Sequence, residues 1–259
     1  MSESDKNSPL VTVIIPCHNH GETVMRAIKS IAAQTYANKR VFVSDEGSED
    51  DTLDVLTSPA FYDDDVLTAD GGHLIGHIDG MPVHIFKVDK GDGPSPARNR
   101  LIKAAWEDTD YFAILDADDY YMPTKLEKTV EVMSYDPDII GLVYNDAIIH
   151  NDKTGNEVYE YREPYNRSRI ERECITSNTP LLNKAALQKI GLYDEEMRTA
   201  EDWDLALRIT QDFVAIHVPE ALHVYSVTGQ NASDIVDKEI WNQNWMRIRQ
   251  KIHRVKHAQ

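Results

Sequence analysis

Cysteine is scarce in this 259-residue chain, which holds only Cys17 and Cys174. The two supply neither a disulfide framework nor a paired-cysteine zinc spacing, so reduced thiols in a cytosolic protein are expected. Basic residues are also few, 27 Lys and Arg against 44 Asp and Glu, for a formal net charge of −17. A surface of that sign repels phosphate backbones, and no nucleic-acid partner is expected. No apolar run approaches the ~20 residues that cross a bilayer. Residues 1–8 form a polar tail without the basic and apolar regions of a signal peptide. The expectation is a cytoplasmic protein with no transmembrane segment, whose membrane contact, if any, is peripheral and at the inner face. Hydrophobic residues at 41% and charged ones at 27% describe a globular chain long enough to bury its own core. Collagen, coiled coil and wholesale disorder are excluded.

What is present alternates between two periods. Val11 to Ile15 is an apolar, β-branched run stopped by Pro16 and followed by the loop 17–21, a buried strand ending in a turn. Val24, Ala27, Ile28, Ile31 and Ala32 then recur at helical spacing. Arg40–Ser44 reads as a second strand and Thr52–Leu56 as the start of a second helix. This alternation predicts an α/β fold, a mostly parallel sheet with helices on both faces. Asp79-Gly80, between His73–Ile78 and Met81–Val88, predicts a hairpin in an inserted segment, 57–82, although Val83–Val88 also fits the main sheet.

Further on, a loop at 90–96 precedes a helix from Ala97 to about Trp106, and Tyr111–Leu115 is a strand running into Asp116-Ala117-Asp118-Asp119. A helix from Pro123 through Val132, a strand Ile139–Tyr144, polar loop over 150–172, a helix Ala185–Ile190 closed by Gly191 and a helix Asp204–Thr210 follow. The expected organisation is one domain over 9–233, then an amphipathic helix over 234–259. Within Ile235–Val255, Trp241, Trp245, Ile248, Ile252 and Val255 follow alternating spacings of four and three, and the end of the segment is basic. The stripe suits packing on the sheet or on a second copy in a homodimer. A helix lying on anionic lipid is the sharper alternative.

Carboxylates gather where strands end, and ligands of open α/β sheets bind beyond the carboxyl ends of their strands. Asp45 follows one strand, and Asp116, Asp118 and Asp119 follow another. Acids so placed repel one another unless a cation is present. Magnesium or manganese, bridging carboxylates and substrate phosphates, would relieve that cost. A solvated acidic loop is the bland alternative.

Five segments in order decide between these. Val11-Thr12-Val13-Ile14-Ile15-Pro16, Ser44-Asp45-Glu46-Gly47-Ser48, Ala97-Arg98-Asn99, Asp116-Ala117-Asp118-Asp119 and Glu201-Asp202-Trp203-Asp204-Leu205 resemble family 2 glycosyltransferases of the GT-A fold. The resemblance covers residues 9 to about 233 and implies a nucleotide-binding half (9–119) and an acceptor half (120–233). It implies an inverting transferase that moves one sugar from a nucleoside-diphosphate donor, UDP by default, to a glycan or other carbohydrate hydroxyl. It also implies a divalent metal cofactor. It assigns Asp45 to the uracil ring, Pro16 and Asn19 to the loop over the base, Arg98 and Asp116 to the nucleotide, and Asp118 to the metal. Asp202 becomes the catalytic base, with Glu201 orienting it or the acceptor. Such a base is needed because the acceptor hydroxyl loses a proton as its oxygen attacks. Asn178 and Thr179 are expected on the acceptor side.

Two departures temper the resemblance. Glu46 stands where a second aspartate is usual, and the histidine that often completes the metal site has no obvious match, with His217 and His223 as substitutes. They motivate an alternative, a degenerate relative that binds nucleotide or carbohydrate without catalysis. The Gln-x-x-Arg-Trp signature of processive synthases is absent, which favours single-sugar transfer. A pyrophosphorylase would need a Gly-rich basic loop after the first strand, and a phosphatase its nucleophile there; neither is found.

Overall fold

The computed structural model describes residues 8–64, 67–68, 73–229, 231 and 236–258. Residues 1–7 of the expected tail, part of segment 57–82 and the start of the expected C-terminal helix lie outside the described residues, as does the side chain of Val255.

Strand β1 (Val11–Cys17) sits at the centre of the sheet because its residues are buried on both sides, the environment its unbroken β-branched run suits. It pairs in parallel with β2 (Lys39–Glu46) and with β6 (Tyr111–Ile114). Beyond β2 lies β5 (Met81–Val88), also parallel, and then β4 (Leu74–Ile78), antiparallel. The hairpin at Asp79-Gly80 is present, with φ of 50° and 72° at its two corner residues. Its second strand is an integral strand of the main sheet, so the ribbon extends the sheet edge.

On the other side, β10 (Leu181–Asn183) runs antiparallel to both β6 and β8 (Ile140–Asn151), which therefore share a direction. The long β11 (Val214–Val227) pairs in parallel with β8, and β7 (Tyr120–Tyr121) closes the edge. Six strands, β5, β2, β1, β6, β8 and β11, thus point the same way, the mostly parallel sheet that the sequence predicts.

Alternation along β1 sorts the helices. Val11, Val13 and Ile15 pack with α1 (Val24–Ala32) and α4 (Lys125–Met133), whereas Ile14 packs with α3 (Pro94–Ala104), α6 (Lys184–Ile190) and α7 (Glu201–Ile209). Three expectations are corrected. The helix read from Ala97 begins at Pro94, since proline is suited to a first helical position. The stretch 150–172 is not all loop, because β9 (Glu157–Glu160) pairs with β8 and α5 (Arg167–Ile170) follows. The helix read from Asp204 begins at Glu201, which puts Glu201 and Asp202 in its first turn, where negative charge faces the positive end of the helix dipole.

The helix α8 (Lys238–Ala258) packs against its own chain, meeting α7 and the core beneath it. Ile248 is fully buried, Trp245 meets Trp203 of α7 edge-on at 5.3 Å, and Asn244 donates to Thr199 Oγ1 at 2.8 Å. Two of its cations are paired: Lys251 with Asp194 (2.8 Å) and Asp204 (2.6 Å), and Arg247 with Asp194 (3.1 Å) and Glu196. Burial raises the Asp194 carboxyl, but Lys251 and Arg247 outweigh it and hold the group below its usual range. Ile248→Ala is expected to destabilise the protein by about 2–5 kcal/mol, the usual cost of that deletion in a packed core. Chemical denaturation measures it, and a loss near zero would mean that α8 is not docked.

Candidate active site

The carboxyl ends of β2, β1 and β6 form one rim. The register sets Pro16 beside Ser44 and Cys17 beside Asp45, while β6 runs directly into Asp116. Asp45 is buried and accepts a hydrogen bond from Ser48 N–H at 3.2 Å. Asn19, at φ 58°, donates its N–H to Ser48 Oγ (2.9 Å) and accepts from Glu49 N–H (2.8 Å) through Oδ1. The loops after β1 and β2 are therefore tied together around Asp45. Pro16 is half-buried and Asn19 is exposed.

The acidic segment 116–119 is held from several directions. Asn178 Nδ2 donates to both Asp116 Oδ2 (3.2 Å) and Asp119 Oδ2 (3.1 Å). Ser226 N–H donates to Asp119 Oδ1 at 2.8 Å, and Asn231 Nδ2 donates to Asp118 Oδ2 at 3.2 Å. Arg26 Nη2 donates to the Asp118 carbonyl (2.6 Å) and to Ser226 Oγ (2.9 Å). Burial, then repulsion from Asp116, pushes Asp118 up to about 7. Burial and the same neighbours raise fully buried Asp119 as well. These are acids packed more tightly than their own charge tolerates.

Arg98 is where the structure departs from expectation. It is 5% exposed and lies beneath the rim, with Nη2 on Asp116 Oδ1 (2.6 Å) and Nη1 on Glu201 Oε1 (2.5 Å). Burial disfavours its charge, yet Asp116 and Glu201 carry its pKa above the ordinary guanidinium range. Both ends of the guanidinium fork engage protein carboxylates, so Arg98 joins the expected nucleotide side to the expected base side.

Next to Glu201, Asp202 lines a cavity of about 400 Å³ between α7, α8 and β11. Burial, then Glu201, raises its carboxyl to about 6. Its Oδ1 accepts from Trp203 N–H at 2.7 Å, and the Cys174 thiol approaches Oδ2 at 3.9 Å. Asn178 lines the same cavity while holding Asp116 and Asp119, so it belongs to both halves of the site. Thr179 does not face the cavity. It is fully buried and accepts from Lys125 Nζ through its carbonyl (2.8 Å) and Oγ1 (3.1 Å), which makes it part of the floor rather than an acceptor contact. Lys125 itself is buried, which drives its pKa down against the opposing pull of Asp119.

Neither substitute histidine reaches Asp118 by a hydrogen bond. His217 is engaged with Asp146 (2.7 Å) and His223 with Asn145 (2.9 Å). Among the described residues, no group of three His, Cys, Asp or Glu side chains is set to hold a metal unaided. Glu46 is drawn away to Arg100 at 2.5 Å. Arg26, Lys125 and Asn231 went unread in the sequence, since each acts on residues about 50 to 200 positions away and carries no local pattern.

Residues 12–191 match the family described as glycosyl transferase family 2. The chain belongs to that family. An uncharacterized glycosyltransferase of Rickettsia prowazekii is 28% identical over 209 residues, a match covering 76% of this chain and 58% of that protein. Among solved structures, S. aureus TarS 1-349 in complex with UDP-GlcNAc superposes with TM-score 0.66 at 16% identity, covering 88% of this chain and 61% of that one. The mannosyltransferase PcManGT of Pyrobaculum calidifontis, in complex with GDP-Man and Mn2+, gives TM-score 0.61 at 18% identity, with 88% and 59% covered. This family 2 chain thus has the glycosyltransferase fold, and it spans about three-fifths of the length of these relatives.

Proposed function

We propose that this family 2 chain transfers one sugar from a nucleoside-diphosphate donor, with UDP as the nucleotide, to an acceptor hydroxyl with inversion. The carrying observation is the Arg98 bridge, which fixes Asp116 on the nucleotide rim and Glu201-Asp202 on the cavity in one rigid constellation. Asp202 accepts the proton of the acceptor hydroxyl as that oxygen attacks the anomeric carbon. The bond from that carbon to the diphosphate oxygen breaks, and its electron pair leaves with the nucleoside diphosphate. Attack from the face opposite the leaving group gives inversion. The complexes of TarS with UDP-GlcNAc and of PcManGT with GDP-Man support a nucleotide-sugar donor.

The residues present fit a divalent cation. Asp118 offers a hard oxygen donor in a cluster whose mutual repulsion already favours an added positive charge. One or two carboxylates plus substrate phosphates is the usual way that magnesium is held. When bound, such an ion would offset the charge that develops on the leaving diphosphate.

Thermal unfolding with UDP or GDP, each with and without Mn2+, tests the donor site. A nucleotide at 100 times its Kd should add about 2.7 kcal/mol of stability, and the manganese-dependent part should vanish in Asp118→Asn. The sign with pH follows from Asp118. Its folded pKa, about 7 against an ordinary 3.8, makes the folded state bind more protons than the unfolded one between those values. That stability is present below 3.8 and is lost as pH rises through 7. A cation takes the place of the missing proton, so the manganese shift should be larger above pH 7 than below it. No shift with either nucleotide would overturn the donor reading. A shift without transfer from any sugar donor would leave a binding protein.

The base sets a second pH dependence. With Asp202 at about 6, kcat/KM should fall about tenfold per pH unit below that value as the carboxylate is protonated. A flat acid limb would exclude Asp202 as the base.

A further inference from the structure

Of the four tryptophans in the chain, three line the cavity beside Asp202: Trp203 from α7, and Trp241 and Trp245 from α8. Trp203 is anchored, its indole N–H donating to the Ile170 carbonyl at 2.5 Å, and Trp245 stands edge-on against it at 5.3 Å. Trp241 and Trp245 are only half-buried; the Arg249 guanidinium lies over the Trp245 ring at 4.5 Å, which leaves Trp241 as the more open of the two. Large aromatic surface left partly open beside a polar group is costly unless something covers it.

The charged members of the same cavity are mostly acidic. Asp202, Glu160 and Glu173 bring carboxylates, against the single guanidinium of Arg162. That guanidinium is already paired with Glu160 at 2.6 Å, and Glu173 is paired with Arg169 at 2.6 Å, which leaves Asp202 to set the sign. A phosphate or carboxylate entering here would meet an excess of negative charge. A volume of about 400 Å³ lies within the range of small-ligand clefts, roughly 300–1,000 Å³.

We propose that Trp241 and Trp245 form the acceptor platform and that the acceptor presents a neutral pyranose ring to it. A pyranose has apolar C–H faces to lie on indole and hydroxyl edges for Asp202, Asn178 and Thr176. The platform orients the ring so that one hydroxyl meets Asp202, and that carboxylate excludes uronic acids and sugar phosphates. This rests on the transferase reading and adds the acceptor's chemical class and the residues that select it.

The test uses the full chain with UDP present. Methyl glucoside, galactoside, mannoside and N-acetylglucosaminide are titrated beside methyl glucuronide and glucose 6-phosphate, following tryptophan emission. At least one neutral glycoside should change the emission saturably, with the charged pair binding at least tenfold more weakly. Trp241→Ala should weaken that glycoside about tenfold or more, as aromatic anchors commonly do, and Trp241→Phe should restore much of the loss. The UDP-dependent thermal shift is unchanged in both variants if the fold is intact. A charged sugar binding more tightly, equal affinity in Trp241→Ala, or no saturable change with any of the four neutral glycosides would each overturn the platform. Absence of the UDP shift in the unsubstituted protein would instead overturn the donor reading.

Discussion

Asp202→Asn is expected to lower kcat by about 10²–10⁴-fold, the range that general-base removal commonly produces, with nucleotide affinity unchanged. The substitution keeps the side chain's size. An amide oxygen still accepts from Trp203 N–H, now served by Asp202 Oδ1 at 2.7 Å. It also removes a charge that Glu201 repels, so the fold has no reason to weaken. What disappears is the carboxylate oxygen proposed to take the acceptor's proton. Steady-state kinetics with a radiolabelled nucleotide sugar measures the effect, and nucleotide thermal shifts supply the control. Equal kcat in the variant would remove Asp202 from the base role.

Arg98→Met should be the most damaging single change to stability at the site. It leaves Asp116 and Glu201, with side chains 29% and 11% exposed, without their shared cation. Breaking a buried pair in this way typically costs about 3–5 kcal/mol, and the partial exposure of Asp116 places this case at the lower end. Burial, Glu201 and Asp116 raise the Asp202 carboxyl while Arg98 lowers it. In the variant the acid limb of the pH–rate profile should therefore move to higher pH. Arg98→Lys keeps the charge but cannot hold two carboxylates in a planar fork. It should recover part of the stability and bring the pH limb back toward its original position. An unmoved limb in Arg98→Met would mean that Arg98 carries structure alone.

Much of the site was legible because its acids cluster locally. Asp116, Asp118 and Asp119 fall within four consecutive positions after a strand, and Glu201-Asp202 open a helix, so the short-range pattern reveals them. Long-range partners have no such mark. Asn231 reaches Asp118 across 113 positions and Arg98 reaches Glu201 across 103. β11 escaped because its pairing with β8 shifts register between Val214 and Ala215, between Val218 and Ala221, and again before His223. Those irregularities, with Pro219 inside the strand, erase the period-two signal. β9 escaped because its first three residues are exposed, leaving no apolar face to alternate. The spacing of Trp241, Trp245 and Ile248 correctly placed them on one side of a helix. Spacing carries no record of what that side meets, which proved to be α7 and a cavity.

The stitching of the site across the chain bears on how it is made. Arg26 and Ser226, both fastened to segment 116–119, stand 200 positions apart. Closing loops of that length is slow, because chain entropy is lost before any contact offsets it. Local helices can form early, but the acidic rim and the cavity both wait for β11 and α8. During synthesis from the N-terminus the acidic segment is therefore exposed, with its repulsions unrelieved, until about a hundred further residues have emerged. Activity in this protein is accordingly a late and cooperative property of the chain, acquired with the native topology as a whole.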